Sequence, residues 1–170
     1  MAKEEKGRYW QAVLQIEILP ENWEESLSGI IKQPFVYCIH TQELDKDSDC
    51  AKPHVHIIIA YKNTTTFNNI FNIIKRIGGE EAIVCLRKTY SIKFAYDSLI
   101  HNNDQSREQK RYQYSTNKRI CKNSFDIENY LTRADRKMEK RKQEKKEYKK
   151  SLEIMDFIRE KKILKHGSIS

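Results

Sequence analysis

Apolar residues along this chain recur with two periods, and the order in which the periods alternate predicts the fold. "YWQAVLQIEI" (residues 9–18) is rich in β-formers and reads as a first strand. Pro20 then opens a short helix whose Trp23, Leu27, Ile30 and Ile31 face inward. "FVYCIH" (35–40) is a second strand, and the polar stretch "TQELDKDSDCAK" (41–52) is a loop carrying Glu43, Asp45, Asp47 and Asp49. "PHVHIIIAY" (53–61) is apolar enough to be a central strand, with Pro53 at its first position, where a missing amide does least harm.

The second half of the pattern repeats the first. In "TTTFNNIFNIIKRIGG" a threonine supplies the N-cap, Phe67, Ile70, Phe71, Ile74 and Ile77 form the apolar stripe, and Gly78–Gly79 ends the helix. "AIVCLRK" (82–88) is a fourth strand. "SIKFAYDSLIHNN" (91–103) is a short helix capped at Ser91 or Thr89, with Ile92, Phe94, Ala95 and Leu99 buried. The basic, aromatic stretch "REQKRYQYSTNKRI" (107–120) holds the last strand, and "SFDIENYL" (124–131) begins a helix that the charged tail continues. The order β-α-β-β-α-β predicts an α+β fold: a central antiparallel sheet with split βαβ, ferredoxin-like topology, plus a charged C-terminal helix.

Charge divides the chain unevenly. The formal net charge is +8, and Arg133–Lys150 holds ten basic residues against four acidic. Attraction to nucleic acid is therefore focused in this tail. We expect a folded domain over 1–132 and a basic helical tail, or the start of an oligomerisation segment, over 133–170. Cys38, Cys50, Cys85 and Cys121 are scattered without CxxC spacing, which suits reduced thiols in the cytoplasm. No apolar run reaches membrane-spanning length, so no membrane partner is expected.

The chemistry concentrates in "KPHVHIII" (52–59). Strand side chains repeat with period two, so His54 and His56 share one face while Val55, Ile57 and Ile59 line the other. His40, at the end of the preceding strand, joins them if the two strands pair. Two or three imidazoles with a carboxylate from the loop suit a divalent ion, Mn²⁺ better than Mg²⁺ on grounds of softness. Beside DNA such an ion polarises a scissile phosphate, and a tyrosine phenol is a suitable attacking group. Tyr90, Tyr96, Tyr112 and Tyr114 lie nearby in sequence, and composition does not choose among them. No glycine-rich phosphate loop is present.

With "CIHTQELDKD" before His54-Val55-His56, "YDSLIHNND" after it, and the opening "MAKEEKGRYWQAVLQIEILPENW", the chain resembles the plasmid rolling-circle replication initiators of Gram-positive bacteria, within the HUH endonuclease superfamily. The resemblance runs over about residues 3–131 and implies metal ligands His40, His54, His56 and Glu43, with Asp47 in reserve because the family usually has aspartate where this chain has "HTQE". It also implies a helical nucleophilic tyrosine, followed by leucine, any residue and histidine. This chain has Ser98-Leu99-Ile100-His101, so Ser98 stands in the nucleophile's place. Three accounts stay open: an introduced substitution that disables cleavage, attack by Tyr96 instead, or a protein that binds origins without nicking or nicks with Tyr112 or Tyr114. His101 shares the Ser98 face of the helix and suits a phosphate-contacting or supporting role, or equally a cap on the helix.

The implied activity is metal-dependent transesterification at a replication origin, giving a 5′-phosphotyrosine link and a 3′-hydroxyl primer. The implied partners are double-stranded origin DNA for binding, single-stranded or extruded DNA for cleavage, and a further copy of the chain. Lys62, Lys75, Arg76, Arg87, Lys88, Lys110, Arg111, Lys118 and Arg119 are the expected phosphate contacts, with Tyr112 and Tyr114 stacking on bases. The competing functions are a non-nicking origin-binding regulator of the same fold, and a transposase or mobilisation relaxase that shares the HxH chemistry.

Overall fold

The computed structural model describes residues 3–41 and 52–167. The chain divides into two compact units, Met1–Tyr130 and Leu131–Ser170. In the first, five strands form one sheet: β1 (Lys6–Gln15), β2 (Phe35–His40), β3 (His54–Thr66), β4 (Ile83–Lys88) and β5 (Ile120–Lys122). Their order across the sheet is β4-β1-β3-β2-β5, and every neighbouring pair is antiparallel. Helix α1 (Trp23–Ile30) links β1 to β2, and α2 (Phe67–Gly78) links β3 to β4. The split βαβ arrangement expected from the pattern is the one observed.

One face of the sheet is an apolar slab. Trp10, Ala12 and Leu14 of β1, Val55, Ile57 and Ile59 of β3, and Phe35 and Tyr37 of β2 pack against Trp23 and Leu27 of α1 and Ile70, Ile74 and Ile77 of α2. The Tyr37 phenol donates to Glu24 across this layer at 2.8 Å, tying β2 to α1. Thr66 caps α2 by accepting from the Asn69 amide at 3.2 Å, and Gly79 ends it at φ +84°, a conformation that a side chain would strain.

The opposite face is covered as well. Helix α3 (Ile92–Ser98) lies beneath it, and Val36, Cys38, Ile58 and Ala60 of the sheet meet Ile92, Ala95, Leu99, Ile100, Tyr114 and Phe125 in a second core. Phe94, expected to be buried, is 48% exposed. A helix of seven residues has one inward stripe, and Ile92, Ala95 and Leu99 fill it.

Three further expectations change. The first strand stops at Gln15, and Ile16–Ile18 form a 3-10 turn. The expected strand across 107–120 shrinks to Ile120–Lys122. The preceding chain makes a short helix α4 (Asp104–Glu108) and a loop that folds back under α3, where the Tyr114 amide donates to Ile100 O at 3.2 Å. Residues 124–131 are not the start of the tail helix. Asn123 and Ser124 take consecutive left-handed conformations (φ 54° and 60°), and Ile127–Asn129 make only a 3-10 turn. The Asn123 side-chain amide donates to Ile31 O and Gln33 O at 2.9 and 3.0 Å, which fixes that turn against the entry to β2.

The second unit is helix α5 (Arg133–His166), opened by a reciprocal capping box between Thr132 and Asp135. It buries none of its residues. Among the described residues, no helix is long and apolar enough to cross a membrane.

Candidate metal centre

The β2–β3 register sets His40 opposite His54 and Cys38 opposite His56. Opposed residues of an antiparallel pair share a face, as do residues two apart on a strand. Three imidazoles therefore meet at one end of the second core. Their ring centroids lie 4.3 Å (His40–His56), 4.9 Å (His54–His56) and 5.1 Å (His40–His54) apart. One ligand nitrogen from each falls within 4.8 Å of the others.

Backbone carbonyls fix the tautomers of two of them. His40 Nε2 donates to Leu99 O at 2.7 Å, and His54 Nδ1 donates to Lys52 O at 2.7 Å. Each proton is thereby held on the nitrogen facing the carbonyl, which makes Nδ1 of His40 and Nε2 of His54 the lone-pair donors. His56 keeps part of its surface accessible, yet enclosure, then the neighbouring imidazoles and Arg111, hold its pKa well below the ordinary value. A neutral imidazole is the form that binds a metal. Three nitrogen donors converging on one point fit a divalent transition ion.

A second layer braces the first. His101 is buried, and its left-handed backbone (φ 57°) turns the chain at the end of α3 so that its ring centroid lies 4.6 Å from that of His40. Its Nδ1 donates to Tyr112 O at 2.6 Å. Tyr114 stacks almost parallel on His40, at 4.7 Å and 10°, and meets His101 edge-on at 5.5 Å. The basic, aromatic sequence around Tyr114 predicts a ring that stacks on DNA bases. The fold instead buries its ring against the imidazoles, and no local periodicity signals this.

The nucleophile candidates occupy different settings. Ser98 Oγ donates to Phe94 O at 2.8 Å and accepts from Asn103 Nδ2 at 2.8 Å, so it joins the end of α3 to the cap of α4. The Tyr96 ring lies under the Arg119 guanidinium at 3.8 Å and stacks on Phe125. Tyr112 is 39% exposed, its ring edge-on to Tyr114 at 4.9 Å. Glu43 and Asp47 lie outside the described residues.

The basic residues also separate. Lys62, Lys75, Arg76, Arg87, Lys110, Arg111 and Lys118 are exposed. Lys88 is partly buried, donating to Lys6 O at 3.2 Å and pairing with Glu5 at 3.6 Å. Arg119 turns inward: Nε donates to Tyr96 O at 3.0 Å, a second nitrogen sits 3.6 Å from Asp97, and its side chain is only 9% exposed. It pins α3 to β5, a role its sequence neighbours do not disclose.

Comparison with known proteins decides the family. The model of the plasmid replication protein origin-binding domain matches residues 2–128. The chain belongs to that family. It is an origin-binding domain of the HUH superfamily, homologous to bacterial plasmid replication proteins. It is 27% identical over 134 residues to the replication protein RepB of Streptococcus agalactiae, covering 78% of this chain and 63% of that one. It is 27% identical over 128 residues to RepB of Lactiplantibacillus plantarum, covering 74% and 53%. To a replication protein of Staphylococcus aureus it is 25% identical over 169 residues, covering 98% and 75%. The chain thus spans between about half and two-thirds of the length of the two RepB relatives.

Proposed function

We propose that this chain binds a plasmid replication origin through residues 1–132, and that its histidine cluster is the metal centre of a strand-transfer site. The observation that carries this reading is the convergence of His40, His54 and His56, with one ligand atom of each inside 4.8 Å, at the end of a sheet that belongs to the origin-binding family. A bound Mn²⁺ or Mg²⁺ supplies charge stabilisation at the scissile phosphate. The carbonyls of Leu99 and Lys52 orient His40 and His54, and Glu43 is the proposed oxygen donor. Exposed Lys62, Lys75, Arg76, Arg87, Lys110, Arg111 and Lys118 hold phosphates, and the basic stretch at the start of α5 adds to the field.

In the family pattern, strand transfer uses a phenol at position 98. Its oxygen attacks phosphorus, the bond to the 3′ oxygen breaks, and that oxygen takes up the proton that the phenol gives up. A 5′-phosphotyrosine link and a 3′-hydroxyl result. Ser98 offers a shorter and less acidic hydroxyl, already bonded to Phe94 O and Asn103. Tyr96 is engaged by Arg119 and Phe125. With Ser98 and Tyr96 so engaged, our reading is that the chain in its present form binds the origin without nicking it, and Tyr112, 39% exposed beside Tyr114, is the remaining phenol to test by Tyr112→Phe.

The test compares the parent, Ser98→Tyr and Ser98→Tyr/His56→Ala with labelled origin single strand and Mn²⁺. An SDS-resistant adduct is expected from Ser98→Tyr alone, and Mn²⁺ binding followed by electron paramagnetic resonance should persist in the parent and be lost with His56→Ala. A parent that binds neither Mn²⁺ nor origin duplex overturns the reading. An adduct from the parent that disappears with Tyr96→Phe moves the nucleophile to Tyr96.

A further inference from the structure

Two large aromatic side chains stand in solvent beside α3. Tyr90 is 87% exposed and Phe94 48%. They flank Ser91, the N-cap of α3, whose hydroxyl accepts from the Phe94 amide at 3.1 Å. Phe94 lies one helical turn before Ser98, and the Ser98 hydroxyl reaches back to its carbonyl, so the two share a face. Two exposed aromatic rings, four residues apart in sequence, thus stand between the end of β4 and the position at which the family resemblance places the attacking group.

The charges around this surface favour a polyanion. The Lys88 ammonium, which also pairs with Glu5, lies 4.8 Å from the Tyr90 ring centroid, and Arg87 is exposed on the same strand. Asp97, the carboxylate of α3, is held by Lys93 at 2.8 Å and by Arg119 at 3.6 Å. Exposed aromatic rings with Lys88 and Arg87 close by suit unpaired bases, which stack on any π-face while lysine and arginine follow the backbone. A duplex keeps its bases stacked internally and offers these rings nothing comparable.

We infer that Tyr90 and Phe94 form a stacking platform for the bases of single-stranded DNA flanking the phosphate presented to position 98. This extends the proposed function and rests on it, because it supplies the single-strand contact that the inward-turned Tyr114 does not. Recognition here is tolerant of sequence and selective for unpaired strands.

The experiment measures anisotropy of a labelled oligothymidylate of about ten nucleotides, and of a labelled origin duplex, with the full chain in EDTA at one fixed salt concentration. Tyr90→Ala and Phe94→Ala are each expected to weaken single-strand binding roughly tenfold and to leave duplex binding unchanged. Phe94→Trp should keep parental affinity and show indole quenching on binding. Both side chains are exposed, so the variants should fold, and circular dichroism checks this. The inference is overturned if the parent does not bind the single strand, or if the double variant binds it as tightly as the parent. It is also overturned if single-strand and duplex binding fall by one common factor, or if the double variant changes only the oligomer size in sedimentation, which would mark a protein contact. Because no metal is present, the platform can fail while the metal-centre reading stands, and Mn²⁺ binding tests that reading separately.

Discussion

The two faces of the sheet are built from the same strands and do opposite things. On one, Trp10, Leu14, Val55, Ile57 and Phe35 meet two regular helices in an apolar layer that holds no imidazole, its polar crossing being the Tyr37–Glu24 hydrogen bond. On the other, alternate residues of the same strands begin as Val36, Ile58 and Ala60 and end as His40, His54 and His56. The first face holds the register, and the second uses it. A slip of one residue in β3 would turn the imidazoles toward α1 and α2 and bring isoleucines to the metal centre. The apolar layer is therefore what positions the ligands.

Truncation within the apolar layer should give the largest effect. Ile57 is fully buried between Tyr37 and Ala12 in the register of the sheet. Ile57→Ala should destabilise the domain by about 2–5 kcal/mol, measured by urea unfolding. The fraction that remains folded should bind Mn²⁺ as the parent does. A large loss of metal affinity in that folded fraction would show that the two faces are not separable.

The two faces also differed in how much the sequence disclosed. The helix-facing side follows periods of two and 3.6, and α2 was readable from its threonine cap to its glycine stop. The histidine trio was readable for the same reason, since period two and a β2–β3 pair place those side chains without further information. The partners around it were not. Tyr114 reaches His40 through a loop that makes no regular hydrogen-bond ladder, and Arg119 finds Tyr96 across 23 positions. A basic aromatic stretch looks alike whether its side chains point to solvent or into a core. Phe94 misled in the other direction, because an apolar residue beside Ala95 reads as core until the length of α3 is known.

A smaller effect isolates that unreadable layer. If the stack of Tyr114 on His40 fixes the imidazole, Tyr114→Leu should lower Mn²⁺ affinity about tenfold while the trio stays intact, a magnitude typical of groups that orient ligands. Tyr114→Phe keeps the ring and should bind close to the parent. Calorimetric titration with Mn²⁺ measures both. Equal affinities for all three proteins would reduce Tyr114 to core filling.

The smallest effect concerns the thiol that sits between the two kinds of chemistry. Cys38 lies opposite His56 on β2, and its pKa is raised from 9.0 to about 11, chiefly by burial, with Arg119 and Lys118 pulling it down. The unfolded chain releases this proton near pH 9, while the folded chain retains it until near 11. Over that window the folded state binds more protons, so stability falls as pH rises. Unfolding free energies from urea titrations at pH 8 and pH 10 should therefore differ by less than about 1 kcal/mol, allowing for solvent screening. Lysines and tyrosines titrate in the same range, so the informative quantity is the difference between the parent and Cys38→Val, which should show the shallower slope. Identical slopes would mean that water reaches Cys38, and that the second face is open to solvent deeper than its imidazole end.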